Sequence, residues 1–278
     1  MRKLYDLHVH SRYSIHDAQQ SEENSIIGLC KKAEDIGLSG VAFSDHLDAD
    51  LYHAGIQPLD NDGIMNECKT AAEMFPKLAV IHSVEIGQQM YFQGICSDII
   101  KKYNYDMVIS STHVVEAQRE NITSQVNFSE LSQSEARGFF EQNMRETLYT
   151  AKYCDTDVLA HITYPLRYFK RHGIEHLANI FDDMDIYDEI FKAIIHRGIA
   201  LEINTSGIRQ GHGETFPNMF LAKRYMELGG ELFTVGSDSH FPEHLGSDIK
   251  EVTKQLSEIG AKYTVFYKER KPIFVNLK

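Results

Sequence analysis

The feature that most constrains the fold is a regular alternation of short apolar segments with longer helical segments along the chain. The apolar segments are short, rich in β-branched residues and followed by turn residues, as is typical of buried strands. We predict seven strands, in the segments 3–10, 39–46, 78–87, 105–113, 157–163, 199–207 and 231–240. Repeated units of one strand and one helix predict parallel strands joined by helical crossovers.

Helices are predicted between these strands from apolar residues spaced three and four positions apart. The segment 21–37 is an example, because Ser21 suits the N-cap position, Ile26 and Leu29 follow the helical period, and Gly37 ends it. The other predicted helices lie near 62–75, 94–103, 134–153, 182–197, 217–228 and 248–259. A long polar segment, 114–133, precedes the fourth of the seven helices, and the C-terminal tail has strand character.

Composition indicates a single globular domain over residues 1–278, since 42% of the residues are hydrophobic and no Pro/Gly linker or low-complexity tract divides the chain. The formal net charge is −12, and no stripe of Lys and Arg is present to contact a phosphate backbone. We therefore expect a small substrate, one that could carry a cationic group, and no binding to nucleic acid. The sequence does not indicate an oligomeric state.

Targeting signals and cysteine usage point to the cytoplasm. No stretch approaches 18 apolar residues, and the N-terminal segment lacks the apolar core of a signal peptide, so no membrane contact is predicted. Four scattered cysteines include no C-x-x-C pair, and a chain of this length does not need disulfides to fold. We interpret them as reduced thiols.

Polar residues that could bind metal follow nearly every predicted strand. They are His8 and His10, Asp45 and His46, Glu85, His113, His161, Asn204, and Asp238 and His240. In a (β/α) barrel the C-terminal ends of the strands surround one opening, so these side chains would converge. In an open doubly wound sheet they would be spread along an edge. The sequence therefore favours the barrel.

The spacing within two of these groups suits metal binding. Residues two apart in a strand face the same side, so His8 and His10 project together, as do Asp238 and His240. Together with His16, and with Asp45 left aside, the predicted groups offer seven imidazoles and two carboxylates, more than one tetrahedral ion can use. Several ions are thus implied, and Glu85 could bridge two of them.

The donor set indicates the class of metal and of reaction. It is rich in nitrogen and contains no thiolate, which suits Zn²⁺, Mn²⁺ or Fe²⁺ better than Ca²⁺. Clustered divalent ions generate hydroxide near neutral pH and stabilise the attacking and leaving oxygens in displacement at phosphorus. Hydrolysis of a phosphate ester is therefore the predicted chemistry.

Six motifs in this order, "DLHVHSRYSIH", "SDH", "EIG", "STH", "AHIT" and "GSDSH", resemble those of the PHP (polymerase and histidinol phosphatase) superfamily. The resemblance spans residues 6–240 and implies a distorted (β/α)₇ TIM-like barrel with three divalent metal ions and a hydroxide between ions as the nucleophile. It implies a first ion held by His8, His10, Glu85 and Asp238, a second by His16, His46 and His240, and a third by Glu85, His113 and His161.

Two further segments, "HITYPLR" and "ALEINTSGIR", resemble the monofunctional histidinol-phosphate phosphatases of histidine biosynthesis. The resemblance implies hydrolysis of L-histidinol phosphate to L-histidinol and inorganic phosphate. Arg167 and Arg209 are candidate phosphate ligands, because a pair of guanidinium groups suits bidentate binding of phosphate. Asn204 is a candidate for orienting the substrate or a ligand.

Three residues are candidates for a catalytic role: Asp45, Glu85 and His161. Asp45 lies beside His46 and could orient a ligand or carry a proton, and we favour the orienting role. Glu85 and His161 would act as ligands of the ions next to the reacting phosphate.

Other functions remain open at this stage. The same site could act on another small phosphate ester, a nucleotide or the 3′ end of a nucleic acid, although the acidic charge argues against the last. An amidohydrolase-type barrel also begins with H-x-H, but commonly has a carboxylated Lys at the end of the fourth strand, where this chain has His113. A binding module with a decayed centre is disfavoured, because all nine ligand positions are occupied.

Overall fold

The structure is a computed structural model that describes residues 3–113, 126–179 and 182–277. Part of the predicted polar segment 114–133 thus lies outside the described residues. The strands are β1 (Tyr5–Val9), β2 (Gly40–Phe43), β3 (His46–Asp48), β4 (Ala79–Gly87), β5 (Met107–Ser111), β6 (Val158–Leu159), β7 (Ala200–Asn204), β8 (Phe233–Gly236), β9 (Tyr263–Lys268) and β10 (Lys271–Asn276).

Helices connect these strands. They are α1 (Ile26–Asp35), α2 (Ala49–His53), α3 (Asn61–Met74), α4 (Gln93–Tyr103), α5 (Gln133–Tyr153), α6 (Leu166–Arg171), α7 (Met184–Arg197), α8 (Ser206–Arg209), α9 (Met219–Glu227) and α10 (Ile249–Glu258). Short 3-10 helices add single turns, one of them at Glu22–Asn24, just before α1. Among the described residues, no helix is both long and apolar enough to cross a membrane.

Seven parallel strands form a nearly closed barrel in the order β1-β2-β4-β5-β6-β7-β8, and β3 pairs with β4 as an extra strand. Hydrogen bonds from the amide of Asp238 to the carbonyl of His8 and from the amide of His10 to the carbonyl of Ser239, both 2.8 Å, bring the last strand back to the first. This topology confirms the predicted (β/α)₇ TIM-like barrel.

The predicted elements differ from the observed ones mainly at the second strand. The predicted strand 39–46 is divided into β2 and β3, because Ser44 and Asp45 leave the strand between them. The carboxylate of Asp45 is engaged by the first βα loop, where the amide of Ser11 donates to it at 2.8 Å. Loop contacts of this kind, made 34 residues away in sequence, are not visible in local strand propensity.

The lower end of the barrel is closed by the C-terminal hairpin of β9 and β10. Val265 and Tyr267 of β9 pack with the apolar side chains inside the barrel, and the hydroxyl of Tyr267 donates to the carbonyl of Asp157 at 3.0 Å. Arg270 in the hairpin turn forms ion pairs with Asp155 and Asp157, next to the start of β6. The carboxyl ends of the strands are therefore the end that remains open for a site.

His82 on β4 faces the helical layer, as its position three residues from Glu85 predicts. Its ring packs 4.6 Å from that of Tyr105, and burial lowers the pKa of His82 to about 4. Below pH 6.5 the unfolded chain therefore binds a proton that the folded chain does not, and the free energy of unfolding falls as the pH drops towards 4.

We expect His82 to reduce the free energy of unfolding by about 3 kcal/mol between pH 6.5 and 4, since each pKa unit corresponds to about 1.4 kcal/mol. The measurement is urea denaturation of metal-free protein across this pH range, for the wild type and for His82→Gln. The wild type should lose stability relative to the variant as the pH falls. Parallel curves for the two proteins would contradict the assignment.

Candidate metal centre

The predicted metal ligands lie at the carboxyl ends of the barrel strands, where the sequence places them. A cavity of about 450 Å³ opens at this end, and its wall includes His46, His113, His161, Asp238 and His240. His8, His10 and Glu85 lie beneath and are fully buried. The structure thus brings together eight of the nine predicted ligands, all except His16.

Glu85 is at the centre of this group. Five imidazoles surround its carboxylate: Oε2 faces His8 (Nε2, 3.3 Å), His10 (Nε2, 3.6 Å) and His46 (Nδ1, 2.9 Å), and Oε1 faces His113 (Nε2, 3.1 Å) and His161 (Nε2, 2.9 Å). Burial acts to raise the pKa of Glu85, but the imidazoles outweigh it and hold this pKa well below its usual value. Glu85 is therefore an ionised carboxylate that can bind ions on both sides.

A second group lies towards the cavity mouth and contains Asp17 where His16 is predicted. Oδ2 of Asp17 is 3.1 Å from Nε2 of His46 and 3.2 Å from Nε2 of His240. His16 and Asp17 are both exposed, and neither belongs to the three-residue ligand clusters found among the described residues, but the carboxylate of Asp17 reaches two imidazoles. The loop between β1 and α1 turns after Ser14, so that Asp17 and not its neighbour faces the imidazoles.

The buried donors fit metal ions better than they fit one another. Within the described residues, Nε2 of His8, Nε2 of His10, Nδ1 of His46 and Oε2 of Glu85 are buried and make no hydrogen bond. Such unsatisfied atoms are costly in a folded protein unless they bind something. Sets of three ligand atoms lie within 4.8 Å of one another, among them His8, His10 and Glu85; His10, His46 and His240; and Glu85, His113 and His161. Nitrogen-rich sets of this kind suit divalent transition metals.

Two carboxylates that the sequence analysis did not single out as site residues bind the outer nitrogens of these histidines. Glu202 of β7 lies 2.7 Å from Nδ1 of His8, and Asp48 of β3 lies 3.1 Å from Nδ1 of His113. Glu202 could have been noticed as a charged residue inside the apolar strand "IALEIN". Asp48 was hidden in an acidic loop that is typical of solvated surface.

Asp45 is buried next to the site but does not face the cavity. Its two oxygens accept hydrogen bonds from the amide and hydroxyl of Ser11 and from the hydroxyl of Ser14, all at 2.8 Å. Ser14 Oγ in turn lies 3.3 Å from Nδ1 of His10. Of the two predicted roles, the contacts and the position away from the cavity fit orientation of the first loop and of His10.

The predicted substrate residues occupy different places. Arg167 and Arg209 both line the cavity. Arg167 stacks on the rings of Tyr164 and Tyr168, 4.8 and 4.7 Å from their centroids. Arg209 donates to the carbonyls of Ser237 (2.5 Å) and Asp238 (2.6 Å), so it also holds the end of β8 in place.

Asn204 is fully buried and does not line the cavity. Its amide nitrogen is 3.2 Å from Oε2 of Glu202 and 3.4 Å from Oδ2 of Asp238. Of the two predicted roles, this position fits orientation of carboxylates and not direct contact with a substrate.

Comparison with known proteins identifies the family. The PHP domain profile matches residues 6–206, more than half of the chain. Proteins named probable histidinol-phosphatase from Clostridium acetobutylicum and Thermotoga maritima are each 28% identical to this chain; the first match covers 96% of this chain and 98% of the relative, the second 94% of each. The chain also shares its fold with histidinol phosphate phosphatase from Lactococcus lactis, whose crystal structure is a complex with zinc, L-histidinol and phosphate. The TM-score is 0.81 and the sequence identity is 21%, and the match covers 98% of this chain and 99% of that one. The chain belongs to the PHP domain family.

Proposed function

We propose that this protein is a metal-dependent phosphomonoesterase that hydrolyses L-histidinol phosphate to L-histidinol and inorganic phosphate. The observation that carries the proposal is the cluster of imidazoles around Glu85, which lies below a cavity whose wall includes Arg167 and Arg209. Bound divalent ions supply positive charge and activate water for attack at phosphorus.

The ligands divide into three sets in this proposal. His8, His10, Glu85 and Asp238 hold the first ion, and Glu85, His113 and His161 hold the third, as the family resemblance implies. For the second ion we propose Asp17 in place of His16, together with His46 and His240, because the carboxylate of Asp17 is the group within 3.2 Å of both imidazoles.

The cavity wall is suited to both parts of the substrate. Arg167 presents a planar guanidinium, held by the rings of Tyr164 and Tyr168, which can bind phosphate through two parallel hydrogen bonds. Asp48 is also on the wall, and its carboxylate favours a substrate whose alcohol part is cationic. The names of the relatives support histidinol as that alcohol. We further propose that the enzyme is cytoplasmic and that it binds neither nucleic acid nor a membrane.

The test is a metal analysis of the purified protein followed by a phosphatase panel of histidinol phosphate, nucleotides and sugar phosphates. We expect at least two bound transition-metal ions per chain and a preference for histidinol phosphate. Fewer than two ions, or no phosphate release from any ester, would contradict the proposed activity. If kcat/KM for another ester were more than about tenfold higher, which corresponds to about 1.4 kcal/mol, the phosphatase activity would stand but histidinol phosphate would be the wrong substrate.

A further inference from the structure

We propose that Glu202 is a positioning residue of the metal centre, which orients His8 and His161 so that their Nε2 atoms face opposite oxygens of Glu85. This inference rests on the proposed metal-dependent function and adds a residue to it that is not among the predicted ligands. Glu202 lies on β7, which pairs with the strand before His161 (β6) and is separated by β8 from the strand of His8 (β1), and it is 1% exposed.

Three nitrogen atoms of the described residues contact the carboxylate of Glu202. Oε1 lies 2.7 Å from Nδ1 of His8. Oε2 accepts hydrogen bonds from the backbone amide of His161 at 2.9 Å and from the side-chain amide of Asn204 at 3.2 Å. These three contacts fix the buried carboxylate in one orientation.

The contact with His8 determines which ring nitrogen can bind a metal. A carboxylate oxygen accepts hydrogen bonds, so this 2.7 Å contact favours the tautomer of His8 in which Nδ1 carries the proton. Nε2 then has its lone pair available, and this is the atom that lies 3.3 Å from Oε2 of Glu85. Carboxylates that bind the outer nitrogen of a histidine ligand fix its tautomer and increase its basicity.

The contact with His161 acts through the backbone. His161 has a φ of 23°, which is unfavourable for a residue with a side chain. The hydrogen bond from its amide to Glu202 stabilises this conformation, and Nε2 of the ring then lies 2.9 Å from Oε1 of Glu85. Glu202 therefore supports one imidazole on each side of the central carboxylate.

The choice of atoms argues against Glu202 as a ligand of the proposed ions. Nε2 of His8 is the nitrogen that faces Glu85, so Glu202 contacts the other nitrogen of the ring, Nδ1, at the hydrogen-bond distance of 2.7 Å. The second oxygen of Glu202, Oε2, accepts hydrogen bonds from the backbone amide of His161 and the side-chain amide of Asn204.

Gly236 shows how closely this pair is enclosed. A Cβ atom at Gly236 would lie 2.4 Å from Cβ of His8 and 2.8 Å from Oε1 of Glu202. Real side chains do not approach this closely, so the end of β8 needs glycine at this position for the pair to keep its geometry. In the "GSDSH" motif, Asp238 and His240 are proposed metal ligands, and Gly236 leaves the space that His8 and Glu202 occupy.

The first test is Glu202→Gln, which keeps the size of the side chain but replaces one acceptor oxygen with a donor. The new amide group must face a donor, either the ring of His8 or the backbone of His161. We expect the dissociation constant for Zn²⁺ to rise by about 10- to 100-fold, as is typical when such a supporting partner is lost. The readout is the zinc retained per chain after dialysis against graded chelator, compared with the wild type.

Asp157→Asn is the matched control, because Asp157 is another buried carboxylate that accepts a backbone amide, from Val108 at 2.8 Å, but at the opposite end of the barrel. It should retain zinc like the wild type. Glu202→Asp is a second variant, in case the glutamine protein does not fold: it keeps the charge but shortens the reach, and we expect weaker zinc retention than in the wild type.

The outcomes separate this inference from the proposed function. If the wild type itself binds no divalent transition-metal ion, zinc included, the metal-dependent function is wrong. If the wild type binds zinc and the Glu202 variants retain it equally well, or if Asp157→Asn loses it to the same extent, the positioning role of Glu202 is wrong while the function stands.

Discussion

Replacing Glu85 with glutamine is expected to lower kcat/KM for the phosphate ester by about 1000-fold or more, which corresponds to about 4 kcal/mol of transition-state stabilisation. The physical reason is the position of Glu85 between five imidazoles, with both oxygens within 3.6 Å of ring nitrogens. An amide carries no negative charge and has one oxygen, so it cannot bind ions on both sides. The measurement is steady-state kinetics with histidinol phosphate, with metal supplied in excess.

Metal content distinguishes the bridging role from a purely structural one. Glu85→Gln should lose occupancy at two ions, while an unchanged metal count would refute the bridge. Glu141→Gln on α5 is the matched control, since its side chain is 43% exposed and pairs with Arg137 on the surface. That variant should keep both its metal content and its activity.

Most of the fold could be predicted because its strands are apolar and short and its helices have a clear period. The predicted helix 134–153 is observed at Gln133–Tyr153, and the predicted strand 78–87 at Ala79–Gly87. These elements are determined by local sequence pattern. The break between β2 and β3 was not predicted, because it depends on contacts between Asp45 and the distant loop residues Ser11 and Ser14.

Site residues at the ends of strands could be predicted from the sequence, whereas those in loops and those that support a ligand could not. Strand ends in a barrel converge, so a histidine or carboxylate near the end of an apolar strand, such as Glu85 in β4 or His113 after β5, is brought to the opening by topology alone. Loop residues are different, because a turn decides which of two neighbours faces inward. Supporting carboxylates such as Glu202 are recognised only through the partner that they bind, and its position depends on the whole barrel.

The loop after β1 is where the ligand implied by the family resemblance differs from the ligand indicated by the structure. The resemblance assigns a metal ligand to His16, whereas the structure brings the carboxylate of Asp17 within 3.2 Å of His46 and His240. We expect Asp17→Ala to lose one ion and to lower kcat/KM by about 100-fold, or about 2.7 kcal/mol, because two imidazoles alone hold a divalent ion poorly.

His16→Ala is the matched variant, one residue away in the same loop and equally truncated. Because His16 is exposed, its loss should change kcat/KM by less than about twofold, as expected for a surface substitution of about 0.5 kcal/mol or less. Metal analysis and kinetics on both proteins decide between the two residues. The reverse order, with His16→Ala losing the ion and Asp17→Ala retaining it, would mean that His16, the ligand implied by the resemblance, is the right one. Equal and small effects would instead leave His46 and His240 as ligands of an ion that needs neither loop residue.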